Sequence, residues 1–224
     1  MARQTAISIN TIPIGPLGII GMPGCEELTD KIDKYLVKWR KTQASEHAES
    51  IAFFGYQRDT YKIDVSIPRF GSGEGKGVIN ESVRGYDIYI VCDVFNYSCS
   101  YDMYGRKVYM SPDDHFADLK RVISALCSKP KRVSVIMPML YEGRQHKRSS
   151  RESLDCAMAL KELVHLGVEN IITFDAHDQR VQNAIPDKSF ENVMPTYQMI
   201  KALVNNVSDL HIDPDHLMVI SPDE

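Results

Sequence analysis

Residues 132–174 read RVSVIMPMLYEGRQHKRSSRESLDCAMALKELVHLGVENIITF. The stretch begins and ends with short runs rich in β-branched residues, which are typical of buried strands. Between the two runs, residues 153–166 carry apolar side chains at helical spacing, and Gly167 follows, as glycine often does at the end of a helix. A strand, a helix and a second strand in this order predict a right-handed crossover between two parallel strands.

The same alternation of strands and helices extends along the chain in both directions. A helix start is predicted at Ser111, which can cap the helix, because Pro112 and the carboxylates of Asp113 and Asp114 follow it. The alternation predicts an α/β fold with a mostly parallel sheet flanked by helices. The predicted helices lie at 26–39, 111–127, 153–166 and 195–207, the strands at 61–70, 87–92, 132–137, 170–174 and 217–221, and a loop at 41–51. The apolar positions expected on one face of the first helix are Leu28, Ile32, Tyr35 and Leu36, and those expected in the buried stripe of the second are Phe116, Leu119, Val122, Ile123 and Leu126.

Composition excludes several classes of protein. The 224 residues carry a net charge of -4. This charge argues against a nucleic-acid partner, since proteins that bind nucleic acids present a broad basic face. The five cysteines include no CxxC pair and predict free thiols in a reducing cytosol. No run of about 18 apolar residues predicts a membrane span, and residues 1–16 do not resemble a secretion signal. A cytoplasmic protein is therefore expected.

Charged side chains follow three of the predicted strands at the point where each strand ends. Arg144 and Lys147 belong to a basic run after the first strand of the quoted stretch, Asp175 and His177 follow the second, and Asp223 follows the last predicted strand. Ligands of open parallel sheets bind outside the carboxyl ends of the strands, so the three groups are expected to converge. Cations for phosphates together with carboxylates for a metal are suited to phosphoryl transfer. Each group also has a purely structural alternative. The basic run can be a solvated loop, Asp175 and His177 a hydrogen-bonded pair, and Asp223 a turn or helix-cap residue.

The glycine-rich run at residues 71–77 reads GSGEGKG. It does not match the G-x-x-x-x-G-K-[ST] spacing of a phosphate-binding P-loop, and it does not match the G-x-G-x-x-G spacing of kinases and dinucleotide-binding proteins. A flexible hairpin or loop is therefore predicted.

The order of the motifs resembles the ribose-phosphate pyrophosphokinases over about residues 17–224, and a longer bacterial variant of that family in particular. The matching segments are FGSGE at 70–74, ESVRG at 81–85, RQHK at 144–147, DAH at 175–177 and SPD at 221–223. Residues 1–16 are predicted to form an N-terminal arm, and the resemblance implies a phosphoribosyltransferase-like domain at 17–167 and the first part of a second such domain at 168–224.

The resemblance also implies roles for individual residues. Phe70 and Glu74 match a family segment that reaches the adenine of a neighbouring subunit's ATP, which implies a homo-oligomer with a shared ATP site. The residues implied in ATP binding are Phe70, Glu74, Arg144, Gln145, Lys147 and His177; those implied in holding Mg²⁺ are Asp175, His177 and Asp223; and Asp223 is also implied in holding ribose 5-phosphate. Two positions depart from the family pattern: Ser72 stands where the family has Asn, and His146 stands where it has Asp.

The activity implied by the resemblance is transfer of pyrophosphate from ATP to the 1-hydroxyl of ribose 5-phosphate, which gives phosphoribosyl pyrophosphate and AMP for nucleotide biosynthesis. In the family, a catalytic loop and a ribose-phosphate loop follow the SPD motif, and neither is present in the 224 residues. The polypeptide 1–224 is therefore expected to be inactive by itself. An alternative is a non-catalytic regulatory or associated subunit of a full-length synthase. A phosphoribosyltransferase is less favoured, because it would also need the ribose-phosphate loop.

Overall fold

The computed structural model of the chain describes residues 13–47, 57–208, 210, 211, 213 and 215–220. The strands are β1 (Leu17–Gly21), β2 (Val65–Ser66), β3 (Val78–Ile79), β4 (Asp87–Val91), β5 (Ser100–Met103), β6 (Arg106–Tyr109), β7 (Arg132–Met137), β8 (Asn170–Phe174) and β9 (Ser189–Val193). The helices are α1 (Glu26–His47), α2 (Pro112–Ala125), α3 (Asp155–His165) and α4 (Thr196–Asn206), with a short 3-10 helix at Gln179–Ala184. The chain divides into two units, Met1–Asn192 and Val193–Glu224. The predicted domain boundary at residue 167 stays a prediction.

A five-stranded sheet organises the first unit, in the order β1-β4-β7-β8-β9. The pairs β1/β4, β4/β7 and β7/β8 are parallel, and Tyr89 of β4 stands between Ile19 of β1 and Ser134 of β7. Strands β4 and β7 are almost wholly buried, because helices and loops cover both faces of a parallel sheet. The predicted α/β fold with a mostly parallel sheet is confirmed, and β7 and β8 have the predicted bounds.

Helix α2 supplies one wall of the main core. All five apolar side chains of its predicted stripe are buried: Phe116, Leu119, Val122, Ile123 and Leu126. They pack with strand residues such as Ile88, Ile90 and Val135 and with Leu160 and Leu163 of α3. Burial of one such aliphatic side chain stabilises the fold by roughly 1.5–3 kcal/mol.

The predicted signals at the ends of two helices are present. At the start of α2 the Ser111 hydroxyl accepts from the backbone N–H of Asp114, and the Asp114 carboxylate accepts from the backbone N–H of Ser111. This reciprocal pair satisfies two backbone donors that the helix cannot satisfy itself. After α3, Gly167 has a φ of +98°, a conformation in which glycine meets no Cβ clash.

Helix α1 differs from the prediction in length and in its buried face. It continues to His47, so the loop predicted at 41–51 is wrong for residues 41–47. Ile32 and Leu36 pack on a small core cluster, but Leu28 and Tyr35 are exposed. Their places are taken by Thr29 and by Asp33, which is buried and accepts hydrogen bonds from the backbone N–H of Tyr61 and the hydroxyl of Thr60. The prediction took only apolar residues as buried, and a buried carboxylate such as Asp33 does not appear in an apolar pattern. The buried face of α1 was therefore misplaced.

Two predicted strands are also corrected. The strand predicted at 61–70 shortens to β2, which pairs with β3 in an antiparallel ladder. Residues 217–220 form no strand, and residue 221 lies outside the described residues. A strand requires hydrogen bonds to a neighbouring strand, and α4 is the only regular element described after β9.

A hairpin of β5 and β6 was not predicted. Its turn places Tyr104 and Gly105 at positive φ, 47° and 76°, as a two-residue type I′ turn requires. Among the described residues, no helix is both long and apolar enough to cross a bilayer.

Candidate functional site

A cleft of about 570 Å³ opens at the carboxyl ends of the central strands. The segments after β4, β7 and β8 and the first turn of α2 line it, because parallel strands all present their carboxyl ends at the same edge. The lining residues are Phe95, Pro112, Asp113, Met139, Leu140, Tyr141, Glu142, Gly143, Arg144, Phe174, Asp175, Ala176 and His177.

The segment after β7 carries Arg144 into this cleft. Glu142, two residues earlier, has a φ of +55°, and its carbonyl accepts from the backbone N–H of Gln145. The Gln145 side chain donates from Nε2 to the carbonyl of Ser153 at 2.7 Å, which ties this turn to the segment before α3. Arg144 is exposed at the edge of the turn, so its guanidinium is available to a ligand.

The segment after β8 carries Asp175 and His177. Asp175 has a φ of +47°, a left-handed conformation that Asp tolerates better than most residues and that often occurs at functional sites. The next backbone N–H, that of Ala176, donates to the side-chain oxygen of Asn192 at 2.9 Å. Both Asp175 and His177 are exposed to the cleft on this fixed backbone.

Tyr141 and Asp113 connect two of the cleft walls. The Tyr141 hydroxyl donates to Oδ1 of Asp113 at 2.6 Å, and the Tyr141 ring stacks on Phe116 with the ring centroids 4.3 Å apart. Partial burial, and then the hydrogen bond to Asp113, raises the pKa of Tyr141. The hydroxyl therefore stays protonated at neutral pH and acts as a donor.

The cleft is rich in carboxylates. Its lining includes Asp113, Glu142 and Asp175 but only one permanently charged cation among the described residues, Arg144. Burial raises the pKa of Glu142, and the nearby carboxylates of Asp155 and Asp113 raise it further. A polyanionic ligand would therefore need additional positive charge here, which a divalent cation bound to the ligand would supply.

The predicted metal site is only partly described. Among the described residues, no group of three or more His, Cys, Asp or Glu side chains is arranged to hold a metal. Asp175 and His177 both line the cleft, whereas Asp223 lies outside the described residues. One carboxylate is nevertheless a fitting donor for Mg²⁺, which in phosphate complexes usually keeps several waters and takes one or two protein carboxylates.

The structure brings together Arg144, Asp175 and His177, as their positions in the sequence predicted. Their roles as ligands stay predictions. Gln145 and Lys147, which were predicted to bind ATP, do not line the cleft.

The other predicted segment, residues 70–74, is a tight turn at a different place. Its ends are joined by hydrogen bonds from the backbone N–H of Phe70 to the carbonyl of Glu74 and from Gly73 to Phe70, both at 2.8 Å. The Phe70 ring is 57% exposed, and neither Phe70 nor Glu74 lines the cleft. The Ser72 hydroxyl donates to the Glu74 carboxylate at 2.7 Å.

A buried ionic network anchors this turn to α2. Asp118 accepts from the guanidinium groups of Arg69 and Arg121, each at 2.5 Å, and Arg69 also donates to the carbonyl of Gly73. The Arg69 guanidinium carbon lies 4.4 Å from the ring centroid of Tyr101 in the β5–β6 hairpin. The loop that the sequence predicted as flexible is therefore held at its base, while its tip remains exposed.

Sequence reasoning missed the cleft residues Asp113 and Tyr141, and it missed Asn192, which holds the backbone of the segment after β8. Asp113 was interpreted only as a favourable charge at the start of α2. Tyr141 follows β7 by four residues and is the first polar side chain after the strand, a signal that could have identified it. Asn192 acts through a hydrogen bond to a backbone group 16 residues away, for which the sequence holds no pattern.

Comparison with known proteins agrees with the architecture. Residues 17–167 match the family model described as the N-terminal domain of ribose phosphate pyrophosphokinase. The chain belongs to this family. The family match covers every residue of the cleft up to Arg144, together with the turn at 70–74, whereas the segment after β8 lies beyond it.

Curated relatives in the ribose-phosphate pyrophosphokinase family show low but extended identity. The chain is 25% identical over 164 residues to a ribose-phosphate pyrophosphokinase of Agrobacterium fabrum, which covers 71% of this chain and 46% of the relative. It is 26% identical over 165 residues to ribose-phosphate pyrophosphokinase 1 of Schizosaccharomyces pombe, covering 73% of this chain and 37% of the relative. The match thus spans less than half the length of these two relatives.

A solved structure shares the fold. A phosphoribosylpyrophosphate synthetase from Mycobacterium smegmatis superposes with a TM-score of 0.61 at 18% identity, over 85% of this chain and 52% of the other. At this identity the likeness establishes the fold of the ribose-phosphate pyrophosphokinase family and leaves the chemistry of the cleft to its own residues.

Proposed function

We propose that the cleft binds MgATP and that the chain supplies the ATP-binding part of a ribose-phosphate pyrophosphokinase. The observation that carries this proposal is the convergence of Arg144, Asp175 and His177 in one cleft at the carboxyl ends of β7 and β8. Family membership supports the same substrate class.

The polar residues divide into two roles in this proposal. Arg144 and His177 bind the phosphate oxygens, since a guanidinium and an imidazole N–H are both donors to them. Asp175 contributes a carboxylate to the Mg²⁺ that accompanies the phosphates. When bound, Mg²⁺ would neutralise phosphate charge, which otherwise would be repelled by Asp113 and Glu142.

The apolar wall of the cleft suits the remainder of the nucleotide. Phe95, Met139 and Phe174 line the cleft beside the polar residues, and both Met139 and Phe174 are exposed. Phe70 and Glu74 lie outside it, which supports a role in the site of a neighbouring copy. We therefore include a homo-oligomer with a shared ATP site in the proposal, to be tested by light scattering.

The reaction proposed for the complete site is pyrophosphoryl transfer. The ribose 1-hydroxyl attacks the β-phosphorus of ATP, the bond from that phosphorus to the α,β-bridging oxygen breaks, and AMP leaves. The contribution of this chain is to orient the triphosphate and to neutralise its charge, because such transfers depend mainly on positioning and electrostatics. Asp223 belongs to the proposal as a ribose and metal ligand.

A second candidate is a nucleotide-binding subunit without catalytic turnover. It is favoured by one observation: the Gln145 amide is bonded to the carbonyl of Ser153, and Lys147 lies off the cleft, so two predicted ATP ligands are not directed to it. AMP release from ATP that depends on ribose 5-phosphate supports the catalytic function, whereas nucleotide binding with no AMP release supports the second candidate.

Calorimetry of MgATP binding tests the proposal. The unchanged chain is expected to bind MgATP more tightly than ATP with EDTA, and Arg144→Ala and His177→Ala are each expected to weaken binding by about tenfold or more, as for loss of one charge-assisted hydrogen bond. Arg148→Ala is the matched control, since Arg148 is also exposed but does not line the cleft. Equal affinity in all three variants would refute the proposed site.

A further inference from the structure

One side chain joins the two segments that carry the proposed phosphate ligands. His146 follows β7, and its Nδ1 lies 3.1 Å from the carbonyl oxygen of Arg144. Its Nε2 lies 3.4 Å from Oδ2 of Asp178, which belongs to the segment after β8. The His146 ring also meets the His177 ring edge to face, with centroids 5.1 Å apart. His146 therefore contacts the backbone of one proposed ligand and the side chain of the other.

The Asp178 carboxylate is itself fixed on its own segment. It accepts from the backbone N–H of Arg180 at 2.8 Å, capping the 3-10 helix, and from Nε of Arg180 at 3.0 Å. The hydrogen bonds from the Arg180 side chain and backbone lower the pKa of Asp178 strongly, so this carboxylate is ionised throughout the neutral range. Asp178 thus presents a fixed negative charge to His146.

Burial separates this pair from the residues beside it. The side chains of His146 and Asp178 are only 12% and 13% exposed, whereas Arg144 and His177 are exposed to the cleft. His146 and Asp178 are packed between the segment after β7 and the segment after β8. Arg144 lies two residues from His146, and His177 lies next to Asp178 in the chain. Movement of either segment relative to the other would separate His146 from Asp178.

We propose that Asp178 and His146 are positioning residues of the nucleotide site, which hold Arg144 and His177 at the spacing that binds a polyphosphate. This inference rests on the proposed function, because it assumes that the cleft takes a nucleotide. Asp178 fixes His146, and His146 in turn fixes the carbonyl of Arg144 and the ring of His177. Neither member of the pair touches the ligand in this arrangement.

The test compares ligands with and without phosphates. Asp178→Asn keeps an oxygen that can cap the 3-10 helix but removes the charge, so the fold is retained. We expect Asp178→Asn and His146→Ala each to weaken MgATP binding about fivefold by calorimetry. The double variant is expected to weaken MgATP binding by at most about tenfold, because the two residues act as one coupled unit. Adenosine binding, followed by NMR titration, is expected to stay unchanged, since it lacks the phosphates that Arg144 and His177 bind.

Two further variants sharpen the result. Exchange of the pair, His146→Asp with Asp178→His, is expected to leave MgATP affinity at least about fivefold below that of the unchanged chain, because a carboxylate at position 146 cannot donate to the carbonyl of Arg144 or meet the ring of His177. Glu162→Gln is the control for loss of an ion pair, since Glu162 pairs with Lys120 at 2.7 Å and does not line the cleft.

The outcomes separate the two proposals. If the unchanged chain binds no MgATP, the proposed function is refuted and this inference with it. If the unchanged chain binds MgATP but Asp178→Asn and His146→Ala bind it equally well, this inference alone is refuted. Equal weakening of MgATP and adenosine would also refute it, because a loss that ignores the phosphates indicates general disruption of the cleft.

Discussion

The Tyr141 hydroxyl donates to Oδ1 of Asp113 at 2.6 Å and thereby ties the segment after β7 to the first turn of α2. The two residues are 28 positions apart in the chain. Since both line the cleft, this bond fixes the distance between two of its walls.

Tyr141→Phe keeps the ring stack on Phe116 and removes this bond only. We expect a loss of about 0.5–1 kcal/mol in the free energy of unfolding, measured in urea, because a bond to a charged acceptor is lost at a place that water can reach. Tyr35→Phe is the control, since Tyr35 is 69% exposed on α1. Equal stability of the two variants would show that Asp113 is satisfied by water instead.

Asp175→Asn separates the charge of this side chain from its backbone conformation. Asn tolerates the left-handed conformation at φ +47° as well as Asp does, so stability should be unchanged. We expect the advantage of MgATP over ATP in EDTA to fall by about tenfold, because a ligand of the cation is weakened. Calorimetry with and without Mg²⁺ measures this ratio, and an unchanged ratio would place the cation elsewhere.

Asp118→Ala would leave Arg69 without its buried ionic partner. Arg69 and Asp118 have side chains only 11% and 2% exposed, so the uncompensated charge is expected to cost about 3–5 kcal/mol in the free energy of unfolding. The turn at residues 70–74 should lose its anchor, which hydrogen exchange of its amides would detect. Asp102→Ala is the matched control, since Asp102 is an exposed residue of β5. A loss below about 1 kcal/mol for Asp118→Ala would mean that water replaces the carboxylate.

Glu142→Gln tests the pH dependence of the cleft. Burial and the neighbouring carboxylates raise the pKa of Glu142 in the folded chain above its ordinary value near 4.5. A raised carboxyl pKa contributes stability that is fully present below the ordinary pKa and is lost as pH rises through the folded pKa. Glu142→Gln should therefore unfold at a higher temperature than the unchanged chain at pH 7, with the difference vanishing near pH 4, both in EDTA. A difference that does not change with pH would contradict this account.

The cysteines should differ in reactivity. All five are free thiols, and burial raises the pKa of Cys25 and of Cys156 to about 11, so little thiolate forms there at neutral pH. Cys127 is exposed after α2. We expect iodoacetamide at pH 8 to label Cys127 first, as followed by mass spectrometry of the folded chain. Earlier labelling of Cys25 or Cys156 would contradict the burial of these thiols.

Much of the first unit was predictable because its signals are local. The β-branched runs of β7 and β8, the Ser111 cap and Gly167 each depend on neighbours within a few residues, and each was found where the sequence predicted it. The position of Arg144 and Asp175 at the same edge of the sheet could be predicted, because each follows the carboxyl end of one of two parallel strands. The strand predicted at 217–221 is absent over its described residues, 217–220, for the converse reason, since a strand depends on a partner strand rather than on its own residues alone.

The α/β alternation and the edge of the sheet at which the charged residues gather can be derived from the sequence, because helix and strand periodicity are properties of short segments. Which side chains meet at that edge depends on the folded chain, where Tyr141 pairs with Asp113 and His146 with Asp178. These pairs join segments distant in the chain, and side-chain conformation in such loops is set by what packs against them. Charge alone could not select the partners, since the chain holds 30 acidic and 26 basic side chains and the fold brings only certain ones within reach.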